Sequence, residues 1–217
     1  MTEKQSLYFS IHPTGGMFNS NCILLGDKQT GEYVLIDCGN DISHVVETAK
    51  KNGLTKCTEI ICTHGHIDHI AGLQQAVELT KAPVSIHSQD MQLYNIGPLQ
   101  GMIFGYKINQ LPQITRQLEE YDRIYVGNFE GVVYHTPGHS PGSICIHFEE
   151  ENIMVTGDTI FSGNVGNSML PGGDPVKLKE SVLRMLNEIP SETVIIPGHG
   201  ELTTVLIEKR SNIINYM

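Results

Sequence analysis

The sequence predicts an α/β fold arranged as a four-layer αββα sandwich, with two β-sheets packed face to face and helices outside them. Apolar runs of strand length occur in both halves of the chain, and amphipathic helical stretches separate or follow them. Each sheet then has apolar surface that a second sheet and a layer of helices must cover. No linker-like break in composition divides the 217 residues, so 1–217 is predicted to be a single domain.

The first half of the chain is predicted to begin with a hairpin and then to alternate strands with helices. Segments 21–26 and 32–37 are apolar-rich runs joined by a loop that contains Gly31. Asp41 is placed to cap a helix that ends near Gly53. Strands follow at 58–62 and 83–87, and the apolar positions from Ile70 to Val77 between them keep a helical period.

The second half is predicted to supply the other sheet. Segment 90–118 shows no clear period and is expected to be irregular, and such long segments in compact domains are often functional. Asp174 and Pro175 start a helix over 176–189, and a final helix is expected over 203–216. The predicted strands are 123–126, 131–135, 143–148, 152–157 and 193–196.

Composition and charge exclude several classes of protein. Fourteen Lys and Arg against 24 Asp and Glu give a net charge of −10, and nucleic acid is not expected as a partner because phosphate binding needs a basic surface. The amino terminus lacks the apolar core of a signal peptide, and no apolar run is long enough to span a membrane. We therefore expect a cytoplasmic protein without membrane contact. The five cysteines form no C-x-x-C pair, which favours reduced, buried thiols.

Five of the ten histidines lie in loops that directly follow predicted strands, together with two aspartates. Loops beyond strand ends are where rigid scaffolds present ligands and catalytic groups. Imidazole and carboxylate donors without thiolate suit zinc, iron or manganese, so a metal centre is predicted. The seven residues are His64, His66, Asp68, His69, His139, Asp158 and His199. The remaining histidines are expected to be ordinary surface or hydrogen-bonded residues: His12, His44, His87, His135 and His147.

Four motifs carry these residues, and their order and spacing resemble the metallo-β-lactamase superfamily over nearly the whole chain. They are Thr63-His64-Gly65-His66-Ile67-Asp68-His69, Thr136-Pro137-Gly138-His139-Ser140-Pro141-Gly142, Thr156-Gly157-Asp158-Thr159 and Pro197-Gly198-His199.

The resemblance implies the αββα fold of that superfamily and a site for two metal ions. It implies that one ion is held by His64, His66 and His139, and the other by Asp68, His69 and His199. It also implies that Asp158 bridges the two ions and that Asp37 orients a ligating imidazole.

The stretch Gly157-Asp158-Thr159-Ile160-Phe161-Ser162-Gly163 is similar to that of hydroxyacylglutathione hydrolases (glyoxalase II) and their short single-domain relatives. This resemblance implies a metal-dependent hydrolase that cleaves a thioester or another small ester-like substrate. Two divalent ions, expected to be zinc with iron or manganese as alternatives, lower the pKa of a bridging water toward about 7 and so supply a hydroxide nucleophile. Asp68 is the predicted catalytic residue, because it is placed to accept the proton of that water.

The chain departs from glyoxalase II in ways that bear on the substrate. Only 18 residues follow His199, so the C-terminal helical domain that helps to hold glutathione is not expected. Asn167, Met169 and Glu201 stand where that family has a lysine and two tyrosines, so a glutathione thioester is not favoured.

The substrate is predicted to be a small molecule, and the segment 96–113 is a candidate lid or pocket wall. An ordinary capping loop is the alternative role for that segment. Candidate substrate contacts are Asn167, Met102, Phe104 and Tyr106.

Two other functions stay open at this point. A mononuclear iron enzyme resembling persulfide dioxygenases would use only His64, His139 and Asp158. A binding protein that retains metal without catalysis would use the ligands but turn nothing over. Metal content separates these possibilities, while the oligomeric state is not predicted by the sequence.

Overall fold

Two six-stranded β-sheets form the centre of the molecule in the computed structural model, which describes residues 6–108 and 110–216. The first sheet is ordered as in the sequence, antiparallel from its first to its third strand and parallel from its third to its sixth. Its strands are β1 (Tyr8–Pro13), β2 (Asn21–Asp27), β3 (Glu32–Ile36), β4 (Lys56–Ile61), β5 (Val84–His87) and β6 (Arg116–Leu118).

The second sheet comes from the other half of the chain and is antiparallel except for one parallel pair. Its strands are β7 (Arg123–Val126), β8 (Phe129–His135), β9 (Ile144–Phe148), β10 (Ile153–Gly157), β13 (Val194–Pro197) and β14 (Thr203–Thr204). The spatial order is β14-β13-β10-β9-β8-β7, with β10 and β13 parallel. A separate two-stranded hairpin consists of β11 (Ile160–Phe161) and β12 (Asn164–Val165).

Seven α-helices occur in the described part of the chain, most of them short. They are α1 (Ser43–Lys51), α2 (Ile67–Ile70), α3 (Leu73–Thr80), α4 (Met91–Asn95), α5 (Gly97–Phe104), α6 (Pro175–Glu188) and α7 (Val205–Ser211).

The packing of alternate residues defines the four layers. In β2, Ile23 and Leu25 belong to the apolar cluster between the two sheets, whereas Leu24 belongs to the cluster under α1 and α3. In the second sheet, Met154 and Ile195 pack with Leu178 and other residues of α6. Both faces of these strands are buried, which explains why they are continuous apolar runs in the sequence. The predicted αββα sandwich is confirmed.

The central strands and the long helix were predicted within one or two residues. The predicted hairpin of β2 and β3 is antiparallel, with Asp27 opposite Glu32. Asp174 caps α6, because its Oδ1 accepts hydrogen bonds from Val176 N and Lys177 N. Asp41 accepts from Ser43 N, but the residue that precedes α1 is Ile42. Strands β1, β11 and β12 were not predicted, since two of them have two residues and β1 is only partly buried.

The prediction of an irregular segment over 90–118 is wrong in part. Helices α4 and α5 and strand β6 lie within it. Their lengths of five, eight and three residues are too short to establish a period. In α5 the buried positions include the glycines Gly97 and Gly101, so the apolar stripe that marks a helix is absent. Asn109 of this segment lies outside the described residues. The same is true of residues 1–5, on which the prediction of no signal peptide partly rests.

The prediction of one closing helix over 203–216 is also wrong in part. Two residues pair as β14, α7 ends at Ser211, and a short 3-10 helix follows at Ile213–Tyr216. The break occurs at the buried Asn212, whose backbone is extended. Its Nδ2 donates to Glu208 Oε2 at 2.6 Å and to Asn164 O at 2.8 Å, and these contacts hold the chain against the β11–β12 hairpin.

Glu208 is a fully buried carboxylate, and its replacement by alanine is expected to destabilise the fold. It accepts hydrogen bonds from Gly163 N at 2.9 Å, Thr203 Oγ1 at 2.6 Å and Asn212 Nδ2 at 2.6 Å. Glu208→Ala leaves Gly163 N and Thr203 Oγ1 without this acceptor and removes one of the acceptors of Asn212 Nδ2, at a cost of about 3 kcal/mol. We expect Tm to fall by about 6–12 °C in calorimetry. Glu208→Gln keeps one acceptor oxygen and should lose less than half as much; equal Tm values for the wild type and the alanine variant would contradict this role.

The described residues contain no helix long and apolar enough to cross a membrane. The five cysteines are unpaired, and four of them are fully buried, with Cys57 only partly so.

Candidate metal centre

All seven predicted metal-site residues meet at one end of the sandwich, where strands of both sheets terminate. The loop after β4 provides His64 and His66, and the short helix α2 provides Asp68 and His69. The second sheet provides its three residues from loops after β8, β10 and β13, namely His139, Asp158 and His199. The ligand atoms of His64, His66 and His139 lie within 4.8 Å of one another, as do those of Asp68, His69 and His199.

In the first cluster, three imidazole nitrogens face one another. His139 Nε2 lies 2.8 Å from His66 Nδ1 and 3.1 Å from His64 Nε2. The three side chains are buried, and the other nitrogen of His66, Nε2, has no hydrogen-bond partner. Imidazole nitrogens that converge in this way are typical of the ligands of one metal ion.

The second cluster joins two imidazoles to a carboxylate. His199 Nε2 lies 3.2 Å from both His69 Nε2 and Asp68 Oδ2, and His69 Nε2 lies 3.5 Å from Asp68 Oδ2. Asp68 and His69 are buried, whereas His199 is partly exposed.

Asp158 lies between the two clusters. Its Oδ2 is 3.4 Å from His139 Nε2 in the first cluster and 3.5 Å from His199 Nε2 in the second. Its Oδ1 is 3.3 Å from His69 Nε2 and has no hydrogen-bond donor. A single carboxylate therefore reaches both groups of donor atoms.

Hydrogen bonds on the far side of the rings fix which nitrogen faces the centre. His139 Nδ1 donates to the carbonyl of Asn167 at 2.9 Å, and His69 Nδ1 donates to Asp37 Oδ2 at 2.9 Å. Thr63 Oγ1 donates to Asp37 Oδ2 and therefore accepts from His64 Nδ1 at 3.1 Å. In the neutral rings, the Nε2 lone pairs of these three histidines point inward, in the form that binds metal.

The protonation equilibria of the centre also favour a bound cation. Burial and the neighbouring His69 and His139 lower the pKa of His64 well below its ordinary value, and burial lowers the pKa of His66 to about 3. Although burial opposes it, His69 and His139 hold the pKa of Asp158 at about 2. Against its burial, Asp158, Asp68 and Asp37 raise the pKa of His69 well above its ordinary value. The donor set therefore fits divalent metal ions.

Asp37 reaches its position through an unusual backbone conformation. It directly follows β3 and has φ of +59°, in the left-handed region that non-glycine residues rarely adopt. Its buried carboxylate accepts from Thr63 N at 2.8 Å and from Thr63 Oγ1 at 2.7 Å, in addition to His69 Nδ1. A third group of potential donors, Asp37, His64 and His69, shares these atoms. Asp37 contacts the His69 ring directly through Nδ1 and the His64 ring through Thr63 Oγ1.

Asp90, which the sequence did not single out, connects the loops of the first cluster. Its fully buried carboxylate accepts from Gly65 N at 2.7 Å, Ser140 Oγ at 2.7 Å and Gly142 N at 2.5 Å. Gly65 lies between two of the histidines, and Ser140 follows His139. Burial raises the pKa of Asp90, and these hydrogen bonds oppose that rise. Nothing in the local sequence Ser-Gln-Asp signals this role.

The loop that carries His199 is held by the other sheet and by close packing. Asn21 of β2 donates through Nδ2 to the carbonyls of Pro197 and Gly200, each at 3.0 Å. A β-carbon on Gly198 would collide with Asp158 Oδ1 and lie 2.8 Å from His69 Cε1, so only glycine fits there. Asn21 was predicted only as a strand residue.

A cavity of about 390 Å³ opens onto the centre. Besides side chains of both clusters, its walls include Phe18, Phe104, Asn167 and Phe161. Of the candidate substrate contacts, Asn167 and Phe104 line this cavity. Met102 is 82% exposed and does not line it, and Tyr106 lines a neighbouring cleft beside Gly16. Phe18 and Phe161 were not proposed from the sequence, although Phe161 lies in a motif quoted above.

The other five histidines lie outside both clusters. His87 stacks on His135 with ring centroids 4.0 Å apart, and His12 contacts His44 edge to face at 5.4 Å. His147 is buried in β9.

Two adjacent clusters of His and Asp donors at the strand ends of an αββα sandwich define a candidate metal-binding protein. The sequence model of the Metallo-beta-lactamase superfamily matches residues 15–199. The chain belongs to that superfamily.

Curated relatives and a solved structure agree with this assignment. A probable metallo-hydrolase, YqgX of Bacillus subtilis, is 30% identical over 92% of this chain and 93% of its own. Hydroxyacylglutathione hydrolase GloC of Haemophilus influenzae is 30% identical over 90% of this chain and 92% of its own. The crystal structure of TTHA1623 in a di-iron-bound form matches with a TM-score of 0.82 and 36% identity, over 92% of this chain and 96% of that one.

Proposed function

We propose that this chain is a dinuclear metal hydrolase that cleaves a thioester or another small ester-like bond. The observation that carries the proposal is the position of Asp158, which reaches nitrogens of both clusters within 3.5 Å. His64, His66 and His139 would hold one ion, and Asp68, His69 and His199 the other. The similarity to a hydroxyacylglutathione hydrolase supports a thioester as the substrate class.

The chain's own residues have separate parts in this reaction. When bound, a pair of divalent ions lowers the pKa of a water molecule toward about 7 and polarises the carbonyl under attack. Asp68 stays ionised, because His69 and His199 outweigh its burial and lower its pKa, and it can accept the proton of the attacking water. Asp37 keeps the Nδ1 proton on His69 and so directs Nε2 to the centre.

Zinc is the proposed metal, with iron or manganese as alternatives. The donors are nitrogen and oxygen without thiolate, a set that all three metals accept. The similar TTHA1623 structure is described as di-iron-bound, so iron should be tested beside zinc when metal is added back to the protein.

Metal analysis together with a panel of thioesters tests the proposal. We expect two metal ions per chain and hydrolysis that a chelator abolishes and added metal restores. One iron per chain with oxygen consumption would instead indicate an oxygenase that uses His64, His139 and Asp158. Two tightly bound ions without turnover of any ester or thioester would indicate a metal-retaining binding protein.

S-lactoylglutathione is expected to be a poor substrate. No lysine or arginine is among the described residues that line the cavity, so the carboxylates of glutathione have no cationic partner there. We expect kcat/KM far below the order of 10⁶ M⁻¹s⁻¹ that marks an efficient enzyme. A value at or above that level, measured by loss of the thioester absorbance, would contradict this expectation.

A further inference from the structure

Much of the wall of the cavity at the metal centre is apolar. Five carbon side chains form this apolar part: Phe18, Ile67, Phe104, Phe161 and Leu170. Phe18 meets Phe104 edge to face, with ring centroids 5.3 Å apart and an angle of 71° between the rings. Phe161 packs in the same way on His199 of the centre at 5.8 Å. These contacts give a defined hydrocarbon surface directly beside the donor atoms.

The polar groups of the cavity are largely engaged elsewhere. Gln100 donates through Nε2 to the carbonyls of Gly65 and Leu93, and its Oε1 accepts from Ile67 N. The backbone carbonyl of Asn167 accepts a hydrogen bond from His139 Nδ1, and its side-chain Oδ1 accepts one from Met169 N. The ionisable side chains among the described lining residues are the histidines and aspartates of the centre itself. Outside the centre itself, the described lining therefore offers no cationic side chain to an anionic substituent.

Three of the apolar residues that line the cavity are each directly preceded in the sequence by an exposed apolar residue. Met17 precedes Phe18 and is 65% exposed, while Ile103 precedes Phe104 and is 66% exposed. Met169 precedes Leu170 and is 84% exposed. Exposed apolar residues beside a lined cavity are typical of a binding surface for apolar groups.

We propose that the cavity selects substrates with an uncharged hydrocarbon acyl group, which packs on Phe18, Phe104 and Phe161 while the carbonyl faces the metal centre. The proposal rests on the proposed hydrolase function and specifies its substrate class. Hydrolysis adds water across the acyl–sulfur or acyl–oxygen bond and releases a carboxylic acid together with a thiol or an alcohol. No anionic substituent on the acyl group is needed for recognition.

Binding of four unreactive thioethers to the zinc-loaded full-length protein tests the selection apart from catalysis. The ligands combine a hexyl or a methyl group with either N-acetylcysteamine, which is neutral, or glutathione, which carries two carboxylates. Each buried methylene strengthens binding by about 4-fold at most. In calorimetry we expect hexyl to bind at least about 10-fold more tightly than methyl in both series. The neutral ligand should bind at least as tightly as its glutathione counterpart.

Variants locate the preference in the cavity. Phe104→Ala is expected to reduce the ratio between hexyl and methyl binding by at least about 5-fold, because it removes one of the aromatic side chains that line the cavity. Phe18 is partly exposed, so Phe18→Lys keeps the fold and adds a cation, which should shift preference toward the glutathione ligands. Tyr125→Ala is the matched control, since this exposed aromatic residue of β7 does not line the cavity.

Hydrolysis of the corresponding hexanoyl and acetyl thioesters separates the two proposals. Faster turnover of hexanoyl substrates with tighter hexyl binding supports both. Turnover with equal binding of hexyl and methyl ligands overturns the substrate class and leaves the hydrolase function intact. Selective hexyl binding without hydrolysis of any thioester or ester overturns the hydrolase function and leaves the apolar selection intact.

Discussion

Asp158→Ala is expected to abolish hydrolysis and to lower the metal content below two ions per chain. Its Oδ2 lies 3.4 Å from His139 Nε2 and 3.5 Å from His199 Nε2, so one truncation removes a donor from both clusters. Loss of groups that merely orient ligands already costs about 10–100-fold in metal affinity or activity. Loss of a carboxylate shared by two ions should lower metal affinity and activity further, so kcat/KM is expected to fall by well over 100-fold.

The measurement for Asp158→Ala is elemental analysis of the purified variant together with its rate on the best thioester of the panel. Asp122→Ala is the control, because that partly exposed aspartate contacts Arg116 far from the centre. A circular dichroism spectrum like that of the wild type verifies the fold. Two ions per chain in the Asp158 variant would remove its proposed bridging role.

Asp90→Ala is expected to weaken metal binding although the residue is not a proposed ligand. The truncation leaves Gly65 N, Ser140 Oγ and Gly142 N without their acceptor in the buried space between two ligand loops. Unsatisfied buried donors cost about 1–3 kcal/mol each, so we expect a loss of about 3–5 kcal/mol in the free energy of unfolding. The misplaced loops should lower metal affinity by about 10–100-fold.

Two readouts distinguish positioning from general destabilisation in the Asp90 variants. Urea unfolding of the metal-free protein measures stability, and competition with a chelator measures zinc affinity in conditions where each variant is folded. Asp90→Asn keeps one acceptor oxygen and should recover part of both losses. If Asp90→Ala lowers stability while zinc affinity stays at the wild-type value, the carboxylate supports the fold without positioning the centre.

The metal-site residues could be predicted from the sequence because their signal is local. His64, His66, Asp68 and His69 lie within six consecutive positions after a buried strand, and the other three each follow a strand in a glycine-marked loop. Parallel or sequentially paired strands deliver such loops to a common edge, so the residues were expected to converge. The resemblance implies two ligand groups with Asp158 between them, and the structure adds the distances between their donor atoms.

The supporting residues could not be predicted in the same way. Asp90 contacts Ser140 across 50 positions, and Asn21 contacts Pro197 across 176 positions. Phe18 lies in a loop with no periodic pattern, and α5 has too few residues and too many glycines to show one. Such contacts depend on which loops the folded sheets bring together, and an isolated Asp, Asn or Phe carries no local sign of them.

The sequence by itself determined the αββα architecture and the chemical type of the centre, because strand alternation, helix stripes and donor spacing are properties of neighbouring residues. Only the tertiary structure decided which nitrogen of each ring faces inward, which buried carboxylates hold the loops, and which aromatic side chains form the cavity wall. The physical reason is that hydrogen-bond direction and van der Waals contact act over a few ångströms in space, whatever the distance along the chain.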